Sequence, residues 1–258
     1  MMAPGHAPLP WTDIDHVLLD LDGTLLDKYF DDFFWEELLP QAYAGRNRLS
    51  LPEAKQSLYH AYRAEEGNLN WSDVDFWSQK LGLNLRALKE EISHLVRLHP
   101  DVEPFLKFLR RERKKVFILT NAHPKTVDVK LHRTPLLSYI DGLLCSAEIG
   151  QAKEQDGFWG KAAERIGFDR NRSLFVDDNE NVLSAAHRFG IRFLIFRGLA
   201  SSKSPARISQ RFTTLESLEG LISSLPPGEV LAARPGSIDQ GTSLRPTAPP
   251  YGPLPDQI

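Results

Sequence analysis

Hydrophobic and polar positions along this chain alternate between two periods. Short apolar runs fall at residues 17–21, 115–120, 142–145, 173–176 and 191–196, and each run predicts a buried strand. Segments with apolar positions three and four residues apart fall at residues 102–113, 126–137, 158–166 and 180–189, and these predict amphipathic helices. Strands that alternate with helices predict an α/β fold, a Rossmann-like parallel sheet with helices on both faces.

A long stretch without a strand pattern separates the first strand from the second. Helical spacing runs from about residue 29 to residue 98, with Gly45 as the expected end of its first helix. Ser50 and Glu53 form a capping box for the next helix, and residues 72–75 resemble a second box. A crossover between parallel strands needs only about a dozen residues. We therefore expect an all-helical cap at residues 28–99, inserted after the first strand of a core at residues 11–27 and 100–225.

The two ends of the chain lack this periodicity. Three prolines precede Trp11, so the segment before it is expected to be a loose arm. Residues 226–258 are rich in proline and glycine and poor in apolar residues. Such a composition buries too little apolar surface to offset the entropy of folding, so we expect a disordered tail.

Overall charge and cysteine content exclude several classes of partner. The chain has 31 Lys and Arg against 34 Asp and Glu, a formal net charge of −3 at pH 7, so no general field attracts nucleic acid or an anionic membrane. The sequence has no signal segment near Met1 and no apolar run long enough to span a bilayer, which indicates a cytoplasmic protein. The sole cysteine, Cys145, follows two leucines and is expected to be a small buried side chain, not a nucleophile.

The first predicted strand ends in a pair of carboxylates. Asp20 and Asp22 lie on either side of Leu21, just before Gly23, at the strand end where open parallel sheets hold their ligands. Once the backbone turns, both carboxylates can face one point. Two like charges at such a short distance need a cation or a proton between them. Taken alone, the same residues are also typical of an ordinary Asp-Gly turn.

Three later loops at strand ends each add a reactive type of side chain. They carry Thr120 with Asn121, then Lys153, then Asp177 with Asp178. With the first loop, this set can transfer a phosphoryl group: one carboxylate attacks phosphorus, a second exchanges the proton, and cations and hydrogen-bond donors stabilise the phosphoryl oxygens. Taken singly, Thr120 could end a strand, Lys153 could lie in solvent, and the paired aspartates could cap a helix.

These motifs resemble those of the haloacid dehalogenase superfamily of phosphohydrolases. The first motif is similar to Asp20-Leu21-Asp22-Gly23-Thr24, the second to Thr120 at a strand end, the third to Lys153, and the fourth to residues 175–179. The match covers the core from about residue 15 to residue 197. The helical insert lies where that superfamily carries a helical cap.

The resemblance implies a role for each of these residues. Asp20 would be the nucleophile, and Asp22 the acid–base whose main-chain carbonyl also touches Mg²⁺. Lys153 would act in catalysis and hold the phosphate together with Thr120. The carboxylates implied for Mg²⁺ are those of Asp20, of Asp178 as a direct ligand, and of Asp177 as a second, water-mediated one.

A closer resemblance is to the bacterial GMP/IMP 5′-nucleotidases of that superfamily. It rests on the first motif together with Phe34-Trp35, Asn70-Trp71, residues 120–124 and Lys153-Glu154, and it departs at residues 150–152. It implies a purine nucleoside 5′-monophosphate as substrate. The residues expected to contact substrate are Thr120, Asn121, His123, Lys153, Trp35 and Trp71.

Three of these residues also have a purely structural alternative. Trp35 and Trp71 are also consistent with packing between helices of the cap, because large apolar rings are what helices need to dock. His123 is also consistent with a position at the start of the next helix, since Pro124 follows it.

The sequence thus predicts a Mg²⁺-dependent phosphomonoesterase of nucleotide metabolism, with a small phosphate monoester as its partner. Two alternatives use the same core residues: a phosphatase for a small phosphorylated acid or sugar, and a phosphomutase that retains the phosphoryl group. A dehalogenase is disfavoured because the departure of a halide needs no acid, which leaves Asp22 without a task. A non-catalytic binding module is disfavoured because it needs no such set of reactive groups.

Overall fold

A computed structural model of the chain describes residues 9–222. Within this range, six parallel strands form one sheet in the order β3-β2-β1-β4-β5-β6. The strands are β1 His16–Leu19, β2 Lys115–Thr120, β3 Gly142–Cys145, β4 Ser173–Asp177, β5 Phe193–Arg197 and β6 Thr213–Leu215. The predicted α/β class with a Rossmann-like parallel sheet is confirmed. The short edge strand β6 was not predicted, because three residues carry too little periodicity.

Both faces of the sheet are covered. Val17 and Leu19 of β1 belong to one apolar cluster and Leu18 belongs to the other, because successive strand side chains point to opposite faces. The first cluster includes α6 (Val102–Arg111). The second includes α9 (Asp156–Ile166) and α10 (Glu180–Phe189). Every residue of β4 and β5 is buried, as expected for central strands of a parallel sheet.

The segment between β1 and α6 is helical, as predicted. Its helices are α1 Tyr29–Phe33, α2 Leu39–Asn47, α3 Leu51–Glu65, α4 Val74–Leu81 and α5 Leu85–Glu91. A π-helical turn at Phe34–Leu38 joins α1 to α2. The expected helix end at Gly45 is wrong: the helix continues to Asn47 and ends at Arg48, whose φ is 56°. A glycine inside a helix costs only about 1 kcal/mol relative to alanine, and packing of α2 against α3 outweighs this cost.

The two predicted capping boxes have different outcomes. The Ser50–Glu53 box is confirmed, since each side chain accepts a hydrogen bond from the other residue's main-chain N–H. The second expected box is wrong: Asp73, not Ser72, is the N-cap of α4, and it accepts hydrogen bonds from the N–H groups of Asp75 and Phe76. The Ser72 hydroxyl instead donates to the main-chain carbonyl of Asn121 at 2.5 Å. Ser72 therefore links the helical segment to the loop after β2.

The remaining helices are α7 Pro124–Leu131, α8 Ser146–Ile149 and α11 Glu219–Ile222. Helix α7 was expected to run from residue 126 to residue 137. It begins earlier, with His123 as its N-cap, and ends before Pro135, which lacks the N–H group that a longer helix would need. Among the described residues, no helix combines the length and the apolar character needed to cross a membrane.

Leu9 near the start of the described residues and Cys145 at the end of β3 are both buried. Leu9, in the segment expected to be a loose arm, is only 4% exposed, so this part of the arm is packed. The tail predicted at residues 226–258 lies outside the described residues. Cys145 is buried, and burial raises the pKa of its thiol to about 12. It is therefore the inert, packed side chain that the sequence predicted.

Candidate active site

The predicted loops meet at the carboxyl end of the sheet. Strands β1 and β4 are neighbours, and Leu19 pairs with Val176, so Asp20 and Asp177 follow at the same level. Strand β2, which ends in Thr120, flanks β1 on the other side. The order of strands along the sheet reverses at β1, and such a switch point leaves a crevice where α/β sheets bind ligands.

Three buried carboxylates converge in this crevice. Asp20, Asp177 and Asp178 each offer an oxygen, and these oxygens lie within 4.8 Å of one another. All three side chains are buried. The Nζ of Lys153 donates to Asp20 Oδ1 at 2.5 Å and to Asp177 Oδ2 at 2.7 Å. One buried lysine thus lies against two of three crowded anions.

The electrostatics of this group follow from its excess of negative charge. Burial raises the pKa of Asp20 and of Asp177, and the neighbouring carboxylates add to this effect. Burial disfavours the charged form of Lys153, but Asp177 and Asp20 outweigh it and raise the pKa of the lysine. Crowded carboxylate oxygens are ligands that suit a hard divalent cation. The donor set therefore fits a metal ion such as Mg²⁺.

Two cations that the sequence did not single out lie beside Asp178. Arg207 donates to Asp178 Oδ2 at 3.0 Å and to its main-chain carbonyl at 2.7 Å. The Nζ of Lys28 lies 3.6 Å from the same carboxylate. Arg207 belongs to the irregular segment between β5 and β6. Because burial does not repeat at a fixed spacing in an irregular segment, the sequence pattern did not predict that Arg207 contacts Asp178.

Gly23 allows the first loop to approach the fourth. Its φ is +89°, and a Cβ atom at this position would lie 2.8 Å from Asp178 Oδ2 and 3.1 Å from the Cβ of Ala200. Any larger residue would strain the backbone and displace the carboxylate. The glycine is therefore required by both its conformation and its surroundings.

Asn121 and Glu154 connect the loops to one another. The Oδ1 of Asn121 accepts from the N–H of Lys153 at 2.9 Å, and its Nδ2 donates to Glu154 at 2.8 Å. Asn179 of the fourth loop also donates to Glu154, at 3.4 Å. Thr120 is buried, and its hydroxyl accepts from the main-chain N–H two residues later. Glu154 was not predicted to connect the loops, although its position next to Lys153 in sequence pointed to the site.

Asp22 has a different environment from Asp20. Among the described residues, its carboxyl is not part of the three-carboxylate group. It accepts a hydrogen bond from Lys130 Nζ at 2.6 Å. Burial, with the charges of Asp31 and Asp20, raises the pKa of Asp22 to about 6, although Lys130 opposes the shift. Lys130 was not among the predicted site residues. The sequence feature that pointed to it is a lysine at a core-facing position of a predicted helix.

Two cavities that share part of their lining lie at this site. The smaller has a volume of about 200 Å³ and its lining includes Asp20, Asp22, Thr120, Asn121, His123, Trp35, Lys153, Asp177 and Asp178. The larger has a volume of about 670 Å³ and is lined by the segment before α4 and by the third and fourth loops. Trp71 lines both cavities.

The three predicted contacts outside the strand-end motifs have distinct surroundings. Trp35 is 9% exposed and packs edge to face against Phe34, Tyr62 and Trp77. Trp71 is half-buried. His123 caps α7, because its Nδ1 accepts from the N–H of Lys125 at 3.3 Å. The structure thus gives Trp35 a packing role and His123 a capping role while both still border the smaller cavity.

Comparison with known proteins agrees with this arrangement of motifs. Residues 14–190 match the family model of the haloacid dehalogenase-like hydrolases. The chain belongs to this family. The GMP/IMP nucleotidase YrfG of Escherichia coli (strain K12) is 38% identical to this haloacid dehalogenase-like hydrolase over 220 residues, which cover 85% of this chain and 99% of YrfG.

Solved structures of haloacid dehalogenase-like proteins share the fold. A HAD phosphatase from Thermococcus onnurineus superposes with a TM-score of 0.66 at 22% identity, covering 82% of this chain and 99% of that one. The HAD-hydrolase YfnB from Bacillus subtilis, bound to magnesium, superposes with a TM-score of 0.57 at 18% identity, covering 81% and 96%. At these identities the likeness concerns the fold alone.

Proposed function

We propose that this hydrolase is a Mg²⁺-dependent phosphomonoesterase that acts on purine nucleoside 5′-monophosphates. The observation that carries the proposal is the cluster of Asp20, Asp177 and Asp178 around Lys153 at the switch point of the sheet. The 38% identity to a GMP/IMP nucleotidase over nearly the whole of that protein supports nucleotides as the substrate class.

In the proposed reaction, Asp20 attacks the phosphorus atom. A bond forms between its carboxylate oxygen and phosphorus, the ester P–O bond breaks, and the electron pair stays on the leaving 5′-oxygen, which takes a proton from Asp22. Water then attacks the aspartyl-phosphate and gives a proton to Asp22, and the Asp20–phosphorus bond breaks to release phosphate. A pKa of about 6 for Asp22 supports this role, since the group can both hold and release a proton near neutral pH.

The phosphoryl group is proposed to bind between Lys153 and Thr120, whose charge and hydroxyl would meet its oxygens. The proposed ligands of Mg²⁺ are Asp20, Asp178, Asp177 and the main-chain carbonyl of Asp22. When bound, the ion would offset the negative charge of the phosphoryl group. Both oxygens of Asp177 already accept hydrogen bonds, from Lys153 and from the N–H of Asn179. This supports Asp178 as the direct ligand and Asp177 as one that acts through water.

Residues 28–99 are proposed to be a cap over a core of residues 11–27 and 100–225, insofar as the structure describes them. Helices α1–α5 all lie between β1 and α6 in sequence, and Trp71 and Ser72 from this segment line the cavities beside the catalytic loops. Because every candidate substrate shares the phosphoryl group, discrimination between substrates falls to this segment.

The larger cavity is the proposed site for the nucleoside. Its volume of about 670 Å³ lies within the roughly 300–1,000 Å³ of typical ligand pockets, which favours a nucleotide over a phosphorylated acid with only a few heavy atoms. A base placed there would lie beside Trp71, which borders both cavities. Asn121 and His123 border the smaller cavity, nearer to the proposed phosphate position.

A substrate panel tests the proposal. Phosphate release is measured with GMP, IMP, AMP, pyrimidine monophosphates, phosphoglycolate and glucose phosphates, each with Mg²⁺. We expect the highest kcat/KM for GMP and IMP. Preference for phosphoglycolate or a sugar phosphate would contradict the nucleotide assignment, and transfer of phosphate within a sugar without its release would indicate a mutase.

A further inference from the structure

Each of the two proposed catalytic carboxylates contacts a buried lysine of its own. Lys153 donates to Asp20 at 2.5 Å, and Lys130 donates to Asp22 at 2.6 Å. Both lysine side chains are at most 3% exposed. Lys153 belongs to the motif that the sequence predicted, whereas Lys130 lies on α7 and has no place in the proposed reaction.

Lys130 belongs to a row of alternating charges that ends in the helical segment. Its Nζ also donates to Asp31 Oδ2 at 2.6 Å, and Lys89 Nζ donates to Asp31 Oδ1 at 2.9 Å. Asp31 comes from α1 and Lys89 from α5. With Asp22 ionised, the row of Asp22, Lys130, Asp31 and Lys89 has no net charge. It therefore needs no further cation.

The two lysines of the row are shielded from water. The ring of Phe30 has its centroid 5.3 Å from Lys130 Nζ and 5.0 Å from Lys89 Nζ. Lys130 and Lys89 are each only 1% exposed. Removal of ammonium groups from water is expensive, and well-packed apolar residues in place of a buried ion pair are often as stable. Fold stability alone is therefore a poor reason for a lysine at this position of α7.

Direct contact with the substrate does not explain the lysine at position 130 either. The described lining of the smaller cavity includes Asp22, Asp31 and Lys89, but Lys130 lines neither of the two cavities at the site. Lys130 lies behind Asp22 and Asp31 and meets the cavity through these two carboxyls. Of these two carboxyls, only that of Asp22 has a role in the proposed reaction, so Lys130 acts on the reaction through Asp22.

We propose that Lys130 is a positioning residue that holds the Asp22 carboxyl where it can reach the leaving oxygen, and that Asp31 and Lys89 hold Lys130 in turn. This inference rests on the proposed phosphomonoesterase function. The carboxyl of Asp22 turns about two side-chain bonds, and a hydrogen bond at 2.6 Å to a buried donor that Asp31 also holds favours one orientation. Misplacement of a catalytic group by about 1 Å can cost about 100-fold in rate.

The test compares two leaving groups in a single turnover. Guanosine leaving from GMP needs a proton from Asp22, whereas p-nitrophenolate leaves readily without one. In Lys130→Met, we expect the first-turnover release of guanosine to fall about 10- to 100-fold, while the first-turnover burst of p-nitrophenolate from p-nitrophenyl phosphate stays close to the wild-type rate. Steady-state turnover of both substrates will fall, since Asp22 also accepts the proton of water.

Lys114→Met is the matched control. Lys114 is a partly buried lysine. It donates to the main-chain carbonyl of Ile14 at 2.7 Å, before the start of β1 and so at the opposite end of the sheet. We expect its loss to lower the thermal midpoint and to leave both first-turnover rates unchanged. A destabilised protein with unchanged rates would separate effects on folding from effects on Asp22.

A second variant covers the case in which Lys130→Met does not fold. Asp31→Asn keeps Lys130 but weakens its anchor, so guanosine release should fall by less than in Lys130→Met while the p-nitrophenolate burst is retained. Equal loss of the two first-turnover rates, or no loss of either, would overturn the role of Lys130. Wild-type protein that releases no phosphate from either compound would overturn the proposed function itself.

Discussion

At the scale of single residues, Asp20 is the side chain on which the proposed chemistry depends. We expect Asp20→Asn to abolish turnover, because the amide has nearly the same shape but cannot attack phosphorus. The thermal midpoint should change little, since the same volume stays buried. Phosphate release from GMP and a thermal melt measure the two effects. Turnover near the wild-type rate would contradict the mechanism.

The carboxylates beside Asp20 lead to a prediction about metal. Activity should vanish in EDTA and return with Mg²⁺. Asp178→Ala should raise the Mg²⁺ requirement or abolish activity, while Asp177→Ala should have a smaller effect, because Asp177 already accepts hydrogen bonds at both oxygens. Activity measured against Mg²⁺ concentration gives the ranking. The reverse ranking would exchange the proposed direct and water-mediated ligands.

Gly23 offers a test of how tightly the loops approach. We expect Gly23→Ala to lower activity strongly, because the new Cβ would lie 2.8 Å from Asp178 Oδ2, and to cost about 1 kcal/mol or more in stability at this positive φ. Gly160→Ala is the control, since Gly160 lies inside α9 and a Cβ there meets no atom within 4 Å. This control should gain about 0.5–1 kcal/mol without change in activity. Full activity in Gly23→Ala would show that Asp178 need not hold its position.

At the scale of elements, the helical segment presents two tryptophans with different surroundings. Trp71 is half-buried beside both cavities, whereas Trp35 packs among aromatic rings. We expect Trp71→Ala to lower kcat/KM for GMP about ten- to a hundredfold, the equivalent of ~1–3 kcal/mol of stacking, with little effect on p-nitrophenyl phosphate.

Trp35→Ala should behave differently, because its ring is part of the packing between helices. We expect a loss of about 3–5 kcal/mol in the free energy of unfolding and a parallel loss of activity on both substrates. Urea denaturation and kinetics with both compounds distinguish the two variants. A selective loss for GMP in Trp35→Ala would instead place the base against that ring.

At the scale of the whole molecule, a buried ion pair joins the end of β5 to the start of α6. Arg197 at the end of β5 donates to both oxygens of Asp101, just before α6, at 2.7 and 3.0 Å. Burial opposes ionisation, but Arg197 and the N–H of Leu218 keep the pKa of Asp101 below its ordinary value. The ion pair between Asp101 and Arg197 therefore stabilises the fold fully above the ordinary pKa of Asp, about 4. This stabilisation is lost as pH falls through the depressed pKa of Asp101.

We expect Arg197→Met to cost about 3–5 kcal/mol near neutral pH, because it leaves a buried carboxylate unpaired. The cost should shrink as pH falls and Asp101 takes up a proton. Urea denaturation at neutral pH and near pH 4.5 measures both effects. Arg188→Met removes an exposed pair with Asp156 and should cost no more than about 1 kcal/mol. Equal costs for the two variants would show that burial of the Arg197 pair adds nothing.

Local pattern by itself determined the fold class and the order of most elements. Apolar runs placed β2 and β3 at the residues observed, and helical spacing placed α10 likewise, because burial repeats every two residues in a strand and every 3.6 in a helix. The same pattern placed Asp20 and Asp177 at strand ends, and parallel strands bring their carboxyl ends to one edge. Lys153 was expected at a strand end too, but it follows the short helix α8 after β3. The residue types at these positions carried the resemblance to the haloacid dehalogenase superfamily, and the match of residues 14–190 to the family model confirmed it.

Tertiary structure alone decided which side chains meet. Asp22 and Lys130 are 108 positions apart in sequence, and no local period relates them. The same holds for Arg207 against Asp178 and for Ser72 against the carbonyl of Asn121. A repeating pattern encodes which face of an element is buried, but the partner of a buried charge depends on how elements far apart in the chain pack together.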